Sequence, residues 1–146
     1  MRGLEEILDI HEILRLKARY CRVMDEKKWH EWHNIFTPDA ILIVPEVENC
    51  SRVTGVDAII EFVSSRLKNA VTIHQLHAPE IEITSEDSAR GIWALEDRLL
   101  WSADRPGPRG ARYIRGAGHY HELYRRTAKG WRIAQLELTR LLLERG

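Results

Sequence analysis

The chain has no excess charge of either sign. Its 22 Lys and Arg balance 22 Asp and Glu, giving a formal net charge of 0 with histidine neutral. No basic surplus recruits nucleic acid, and no acidic tail offers a solvating arm. Cysteine is scarce: Cys21 and Cys50 have neither CxxC spacing nor the density of a disulfide framework. Both read as reduced thiols of a cytoplasmic protein. No apolar run approaches the roughly 18 to 20 residues that cross a bilayer, which argues against a membrane protein. The N-terminal "MRGLEEILDIHEIL" carries acids every few residues, unlike a signal peptide. Internal repeats and low-complexity segments are missing. So are HExxH, GxSxG, GxGxxG and the P-loop, along with the metal, serine-nucleophile and nucleotide chemistry each would bring.

What is present is an ordinary globular composition, 44% hydrophobic and 30% charged over 146 residues, which suits one domain spanning 1–146. Charge neutrality also fits a chain that buries surface in a homo-oligomer. Residues 4–25 read as a helix, with Ile7, Ile10, Leu14, Ala18 and Cys21 at three- and four-residue steps forming one apolar stripe. The next step carries Asp25 onto that face at the helix end. "KKWHEWHNIF" reads as a short second helix, "TPDA" as a break and "ILIV" as a strand. "TGVDAIIEFVSSRLKN" is a third helix capped near Thr54 or Gly55. From residue 71 the period changes to two, and 72–84, 89–101, 113–126 and 131–142 read as four long strands. "SADRPGPRGAR", rich in chain-punctuating pairs, reads as a long hairpin loop and the one candidate for disorder. Helices followed by an antiparallel meander predict an α+β domain, a curved sheet folded around helices with a cone-shaped apolar pocket.

Alternation assigns faces. His74 and Leu76 share one face of the first long strand; Ile73, Gln75 and His77 share the other. Asp97 lines up with Trp93, Leu95, Leu99 and Trp101. On the last strand Arg132, Ala134, Leu136, Leu138 and Arg140 share a face. Burying a charge without a partner costs several kcal/mol, so Asp25, Asp97, Arg140 and a histidine are expected to meet one another or a ligand. Asp25 is also placed to cap the helix beginning at Lys27, and Asp97 with Arg140 to form a structural ion pair. His74 and His77 point to opposite faces and make poor joint metal ligands. His119 and His121 share a face with no carboxylate to complete a triad, and His11, His30 and His33 fall on solvated helix surface. The chemistry available to these types is proton transfer by a histidine whose tautomer a carboxylate fixes. Tyr20, about 140° from Asp25 around the helix, is the candidate hydroxyl donor.

The segments "LKARYCRVMDEKKWHEW", "IHQLHAPEIEI", "SARGIWALEDRLLW" and "GWRIAQLELTRL" carry a resemblance over nearly the whole chain. It is to the SnoaL-like branch of the nuclear-transport-factor-2-like (NTF2-like) superfamily, and within it to the bile-acid 7α-dehydratase group. The resemblance implies an α+β cone, no metal, no cofactor and a dimer or trimer. It places a catalytic tyrosine on Tyr20, a helix-end aspartate on Asp25, a general-base histidine on His74, a strand aspartate on Asp97 and an arginine on Arg140, and reads His77 as structural. The implied activity is a cofactor-free dehydratase acting on a hydroxylated, carbonyl-bearing hydrophobic small molecule. The segments "VPEVENCSRVTG" and "SADRPGPRGARY" depart from that group, so substrate shape does not carry over. Alternatives on the same scaffold are a non-catalytic small-molecule binding module, an isomerase or cyclase, and a dioxygenase β-subunit-like protein.

Overall fold

In a computed structural model, which describes residues 3–45 and 50–146 and no side chain at Cys50, the elements run in the expected order. Helix α1 spans Gly3–Asp25, a 3₁₀ turn covers Trp29–Asn34, and strand β1 follows at Phe36–Pro45. Strand β2 is Cys50–Thr54, helix α2 is Val56–Leu67, and strands β3 to β6 are Val71–Ile83, Ser88–Leu100, Tyr113–Thr127 and Gly130–Arg145. The six strands form one curved sheet in the order β2-β1-β6-β5-β4-β3. All neighbours are antiparallel except β1 and β6. No described helix is long and apolar enough to cross a membrane. The reading of Cys50 as a reduced thiol and the part of the departing segment "VPEVENCSRVTG" that falls on residues 46–49 lie outside what is described.

Each element follows from local chemistry. Helix α1 carries Glu5 and Glu6 in its first turn and Arg22 in its last, which suits the helix dipole. It ends in a Schellman motif: the Lys28 amide donates to the Val23 carbonyl at 2.9 Å and the Lys27 amide to Met24 at 3.1 Å. Gly55, at φ 96°, caps α2 without a side-chain hydrogen bond, a conformation that favours glycine. The buried positions of β4 (Ala89, Gly91, Trp93, Leu95 and Asp97) alternate as period two requires.

Four expectations are corrected. The buried face of α1 is not the stripe from Ile7 to Ala18: Ile7 is 64% exposed and Ala18 is exposed, while Ile13, Leu16, Lys17, Tyr20, Val23 and Met24 are buried. Cys21 does lie inside. "TPDA" does not break the chain but belongs to β1, which shifts register against β6 between Phe36 and Ile41. On β6, Arg132 and Ala134 do not share the inner face with Leu136. Leu123 pairs with Gln135 and Tyr124 with Ile133, so Ala134 is a bulge that changes phase; Trp131 and Ile133 point inward before it, Leu136 after it. The 102–112 loop is ordered. A Cβ on Gly107 would lie 2.5 Å from the Trp101 ring, and the Gly146 carbonyl accepts from the amides of Arg112 and Tyr113. Trp101, Ala70, Ala111 and Ile114 form a small second core beneath this loop.

The main core lies between α1 and the inner face of the sheet. The Tyr20 ring stacks on Trp32 with centroids 5.0 Å apart and meets Phe36 and Tyr120 edge-on at 5.8 and 5.9 Å. Lys17 is fully buried here. Its Nζ lies 2.6 Å from Glu122 Oε2 and 3.7 Å from the centroids of both Tyr20 and Tyr120. The other Glu122 oxygen accepts from the Tyr124 hydroxyl at 2.6 Å, which in turn accepts from Trp93 Nε1 at 2.8 Å. A buried charge is tolerated because every polar atom in this chain of contacts has a partner.

Candidate active site

The end of α1 meets the start of β3. Asp25 closes the last helical turn, and the chain then leaves through the Schellman turn, which aims its carboxylate at the sheet. Asp25 Oδ1 accepts from His74 Nδ1 at 2.7 Å and from the Thr72 hydroxyl at 2.9 Å; Oδ2 accepts from the His74 amide at 2.9 Å. An ionised carboxylate accepting at Nδ1 fixes the neutral imidazole as the Nδ1–H tautomer, which leaves the Nε2 lone pair free. Among the described residues none hydrogen-bonds Nε2. The His74 side chain is 6% exposed and that of Asp25 25%. Burial pushes the Asp25 carboxyl up, but the hydrogen bonds from the His74 ring and amide, the charge of His74 and the Thr72 hydroxyl together hold it below the usual carboxylate range.

Across the strand pair His74 stands opposite Asp97, and Asp97 opposite Gly116. Arg140 reaches over Gly116 to grip Asp97 with two hydrogen bonds, Nη1 to Oδ1 at 2.6 Å and Nη2 to Oδ2 at 2.9 Å. A Cβ on Gly116 would lie 2.4 Å from Arg140 Nη1 and 2.9 Å from Asp97 Oδ1, so this clamp requires glycine. Asp97 is 3% exposed and Arg140 20%. Burial lowers the Arg140 guanidinium, yet the hydrogen bonds and charge of Asp97 leave it raised.

Tyr20 sits deeper, on the face of α1 that also carries Lys17. Burial first, then the neighbouring Cys21 and Glu122, push its hydroxyl well above 10, against a hydrogen bond with Tyr120. The hydroxyl therefore keeps its proton and can act as a hydrogen-bond donor. Tyr120 is held up likewise, chiefly by burial and then by the charge of Tyr20.

Of the five residues singled out in the sequence, His74 and Asp25 are in direct contact, Asp97 and Arg140 are in direct contact, and Tyr20 lies on the same side of the sheet. Asp25 does not cap the following helix, which Lys28 precedes without a side-chain cap. His77 lies on the outer face, bonded to Glu96 at 2.9 Å. His119 and His121 also lie outside, the latter on Thr139. No cluster of three metal-ligating side chains occurs among the described residues. Thr72, Lys27 and Gly116 escaped the sequence reading. The only signal for Thr72 is its phase with His74, two positions away on the inner face.

An apolar hollow beside His74 was expected. Two concavities are described, of about 620 and 190 Å³. The larger is bounded by Glu80, Glu82, Arg90, Ile92, Leu123 and Glu137 among others, mostly on the outer side of the sheet, and neither wall includes His74, Asp25 or Tyr20. Deeper in the cone the Tyr20 ring packs against Trp32 and Tyr120, and the site meets solvent at Asp25 and Arg140.

A family model described as the SnoaL-like domain matches residues 5–137. The chain belongs to the SnoaL-like domain family. This SnoaL-like protein is 28% identical over 138 residues to a protein named probable cyclase FGR4 of Gibberella zeae, with 88% of this chain and 89% of that protein covered. Its fold matches the Kfla4162 protein of Kribbella flavida with a TM-score of 0.85 at 21% identity, over 95% of both chains. It also matches a hexachlorocyclohexane dehydrochlorinase, LinA type 2, with a TM-score of 0.83 at 16% identity over 99% of this chain and 93% of that one. The likeness to solved structures establishes the NTF2-like cone for this SnoaL-like chain, as the family resemblance implied, while the helices-then-meander pattern predicted its α+β class and curved sheet.

Proposed function

We propose that the protein is a cofactor-independent dehydratase of the bile-acid 7α-dehydratase type, acting on a hydroxylated, carbonyl-bearing hydrophobic molecule of steroid-like or polycyclic shape. The observation that carries this reading is the 2.7 Å contact between His74 Nδ1 and Asp25, in a nearly dry setting with Nε2 uncommitted. His74 Nε2 takes the proton from the carbon activated by the carbonyl. The electron pair of that C–H bond becomes the new C=C bond, and the C–O bond to the hydroxyl breaks. The departing hydroxide takes a proton from the imidazolium and leaves as water, so His74 returns to its starting state. Asp25 steadies the transient imidazolium. Tyr20 donates a hydrogen bond to the carbonyl or the departing oxygen. The Asp97–Arg140 clamp positions the substrate end nearest solvent.

The test uses a panel of hydroxylated polycyclic ketones, with mass spectrometry reading loss of water and NMR reading deuterium uptake at the acidic carbon. His74→Ala and Asp25→Asn are each expected to lower turnover by at least about a hundredfold while circular dichroism at the assay temperature keeps the folded signal. Full turnover in both variants on an accepted substrate would remove the assignment.

The relative named as a cyclase favours a second reading, in which the same base starts a ring closure. Product mass separates the two, since a cyclisation without elimination conserves the mass of the substrate. A binding module would instead tolerate His74→Gln with unchanged ligand affinity and no deuterium uptake.

A further inference from the structure

Lys27 occupies the residue after the C-cap of a Schellman turn, at φ 62°. This left-handed conformation is one that glycine fills most readily and L side chains adopt reluctantly. A lysine kept where glycine fits better points to a use for its side chain. That side chain folds back over the helix end, and its Nζ donates to the Thr72 hydroxyl at 2.8 Å. The Thr72 hydroxyl, in a residue 5% exposed, in turn donates a hydrogen bond to Asp25 Oδ1 at 2.9 Å, the oxygen that also accepts from His74 Nδ1. Donation thus runs from ammonium to hydroxyl to carboxylate, and the imidazole donates to the same carboxylate oxygen from the other side.

We infer that Lys27 and Thr72 are positioning residues that hold the Asp25 carboxylate in one orientation and, through it, hold His74 in the tautomer with a bare Nε2. The inference rests on the proposed His74–Asp25 pair. Without the hydroxyl, Asp25 keeps the His74 ring on Oδ1 and the His74 amide on Oδ2 but loses the one bond that comes from outside His74, so the ring and the carboxylate are no longer fixed by a third group. Without the ammonium, the hydroxyl loses the contact that turns its proton toward Asp25. Tyr20 and Cys21 also feel the Asp25 charge from α1. Asp97 from β4 stands across from His74, with Arg140 of β6 bound to it and Tyr120 of β5 beside that pair. The Arg140 cation is engaged by Asp97, and among the described residues Lys27 is in no ion pair, so its charge acts on Asp25 beside that of His74.

The experiment is NMR on the intact protein, with ¹⁵N-labelled histidine and ¹³C-labelled aspartate, in the wild type, Lys27→Gly, Thr72→Val and Lys27→Arg. In Thr72→Val and Lys27→Gly the His74 nitrogen shifts are expected to move from a single Nδ1–H tautomer to a mixture, and the Asp25 carboxyl to titrate at higher pH than in the wild type. Lys27→Arg, which keeps a cationic donor, should restore the wild-type pattern in part. Lys27→Gly also relieves the left-handed backbone, so its thermal midpoint should hold or rise, which separates positioning from a structural role. Unchanged tautomer and unchanged Asp25 titration in Lys27→Gly and Thr72→Val would overturn the inference. These readouts need no substrate. If His74→Ala kept full turnover while the NMR changes appeared, the proposed function would fall and the positioning chain would stand.

Discussion

Asp25 shows at the scale of one residue how a site enters the stability of the fold. Its carboxyl is held below the ordinary range in the folded protein, despite a burial that opposes this, by bonds from His74 and Thr72. An aspartate of the unfolded chain ionises near pH 3.9. The stabilisation from Asp25 is thus fully present above that pH and is lost as pH falls through the depressed folded value. Urea unfolding at pH 7 and pH 3 should show the wild type losing more stability than Asp25→Asn over that interval. Equal losses would mean that the His74 and Thr72 bonds do not favour the ionised form. Gly116 gives a second expectation. A methyl group there overlaps the Arg140–Asp97 clamp, so Gly116→Ala should cost about 1–3 kcal/mol in chemical denaturation. Asp97 was legible because strand alternation marks a polar residue on an apolar face; Asp25 and Arg140 were reached along rows that the structure redraws, and alternation left the histidine open, so His74 came from the family resemblance. Gly116, Thr72 and Lys27 were not legible, because a missing Cβ, a hydroxyl and a surface-type lysine carry no local mark until their partners are in place.

Elements explain why part of the architecture was readable and part was not. The four long strands follow from period-two alternation, a local property, and β4 keeps it throughout. The bulge at Ala134 and the parallel pairing of β1 with β6 depend on partners far along the chain, so the sequence of either strand alone does not reveal them. Helix α1 offers two neighbouring apolar stripes, and the face that wins is the one containing Lys17. What reverses the usual exposure of lysine is Glu122, 105 residues away, with the faces of two tyrosines. This pair fastens α1 to β5. Removing one partner leaves an uncompensated buried charge, so Lys17→Met or Glu122→Gln alone should cost about 3–5 kcal/mol. The double variant should cost clearly less than the sum of the two, and a double-mutant cycle by chemical denaturation measures the difference. Additive losses would show that the two charges do not depend on each other.

At the scale of the whole molecule the sheet has an aromatic inner side, yet β6 runs on beyond the inner row with Leu141, Leu142 and Leu143 exposed at 77%, 46% and 45%. Leu141 is a second bulge, lying between the Ala117–Leu142 and Gly118–Arg140 pairs, so the strand cannot turn all three leucines inward. Large apolar side chains facing water at three consecutive positions expose area that association with another chain would bury. A net charge of 0 places no long-range repulsion between copies. We therefore propose that the chain self-associates, as a dimer or trimer, with the end of β6 in the contact. The prediction separates association from folding because these side chains contribute little to either core. Light scattering on the wild type should give a mass of two or three chains, independent of dilution over a broad range. Leu141→Glu with Leu142→Glu should bring it to one chain while circular dichroism keeps the sheet signal. A wild type that scatters as a single chain at all concentrations would refute the proposal, and an unchanged oligomer in the double variant would move the contact away from this strand.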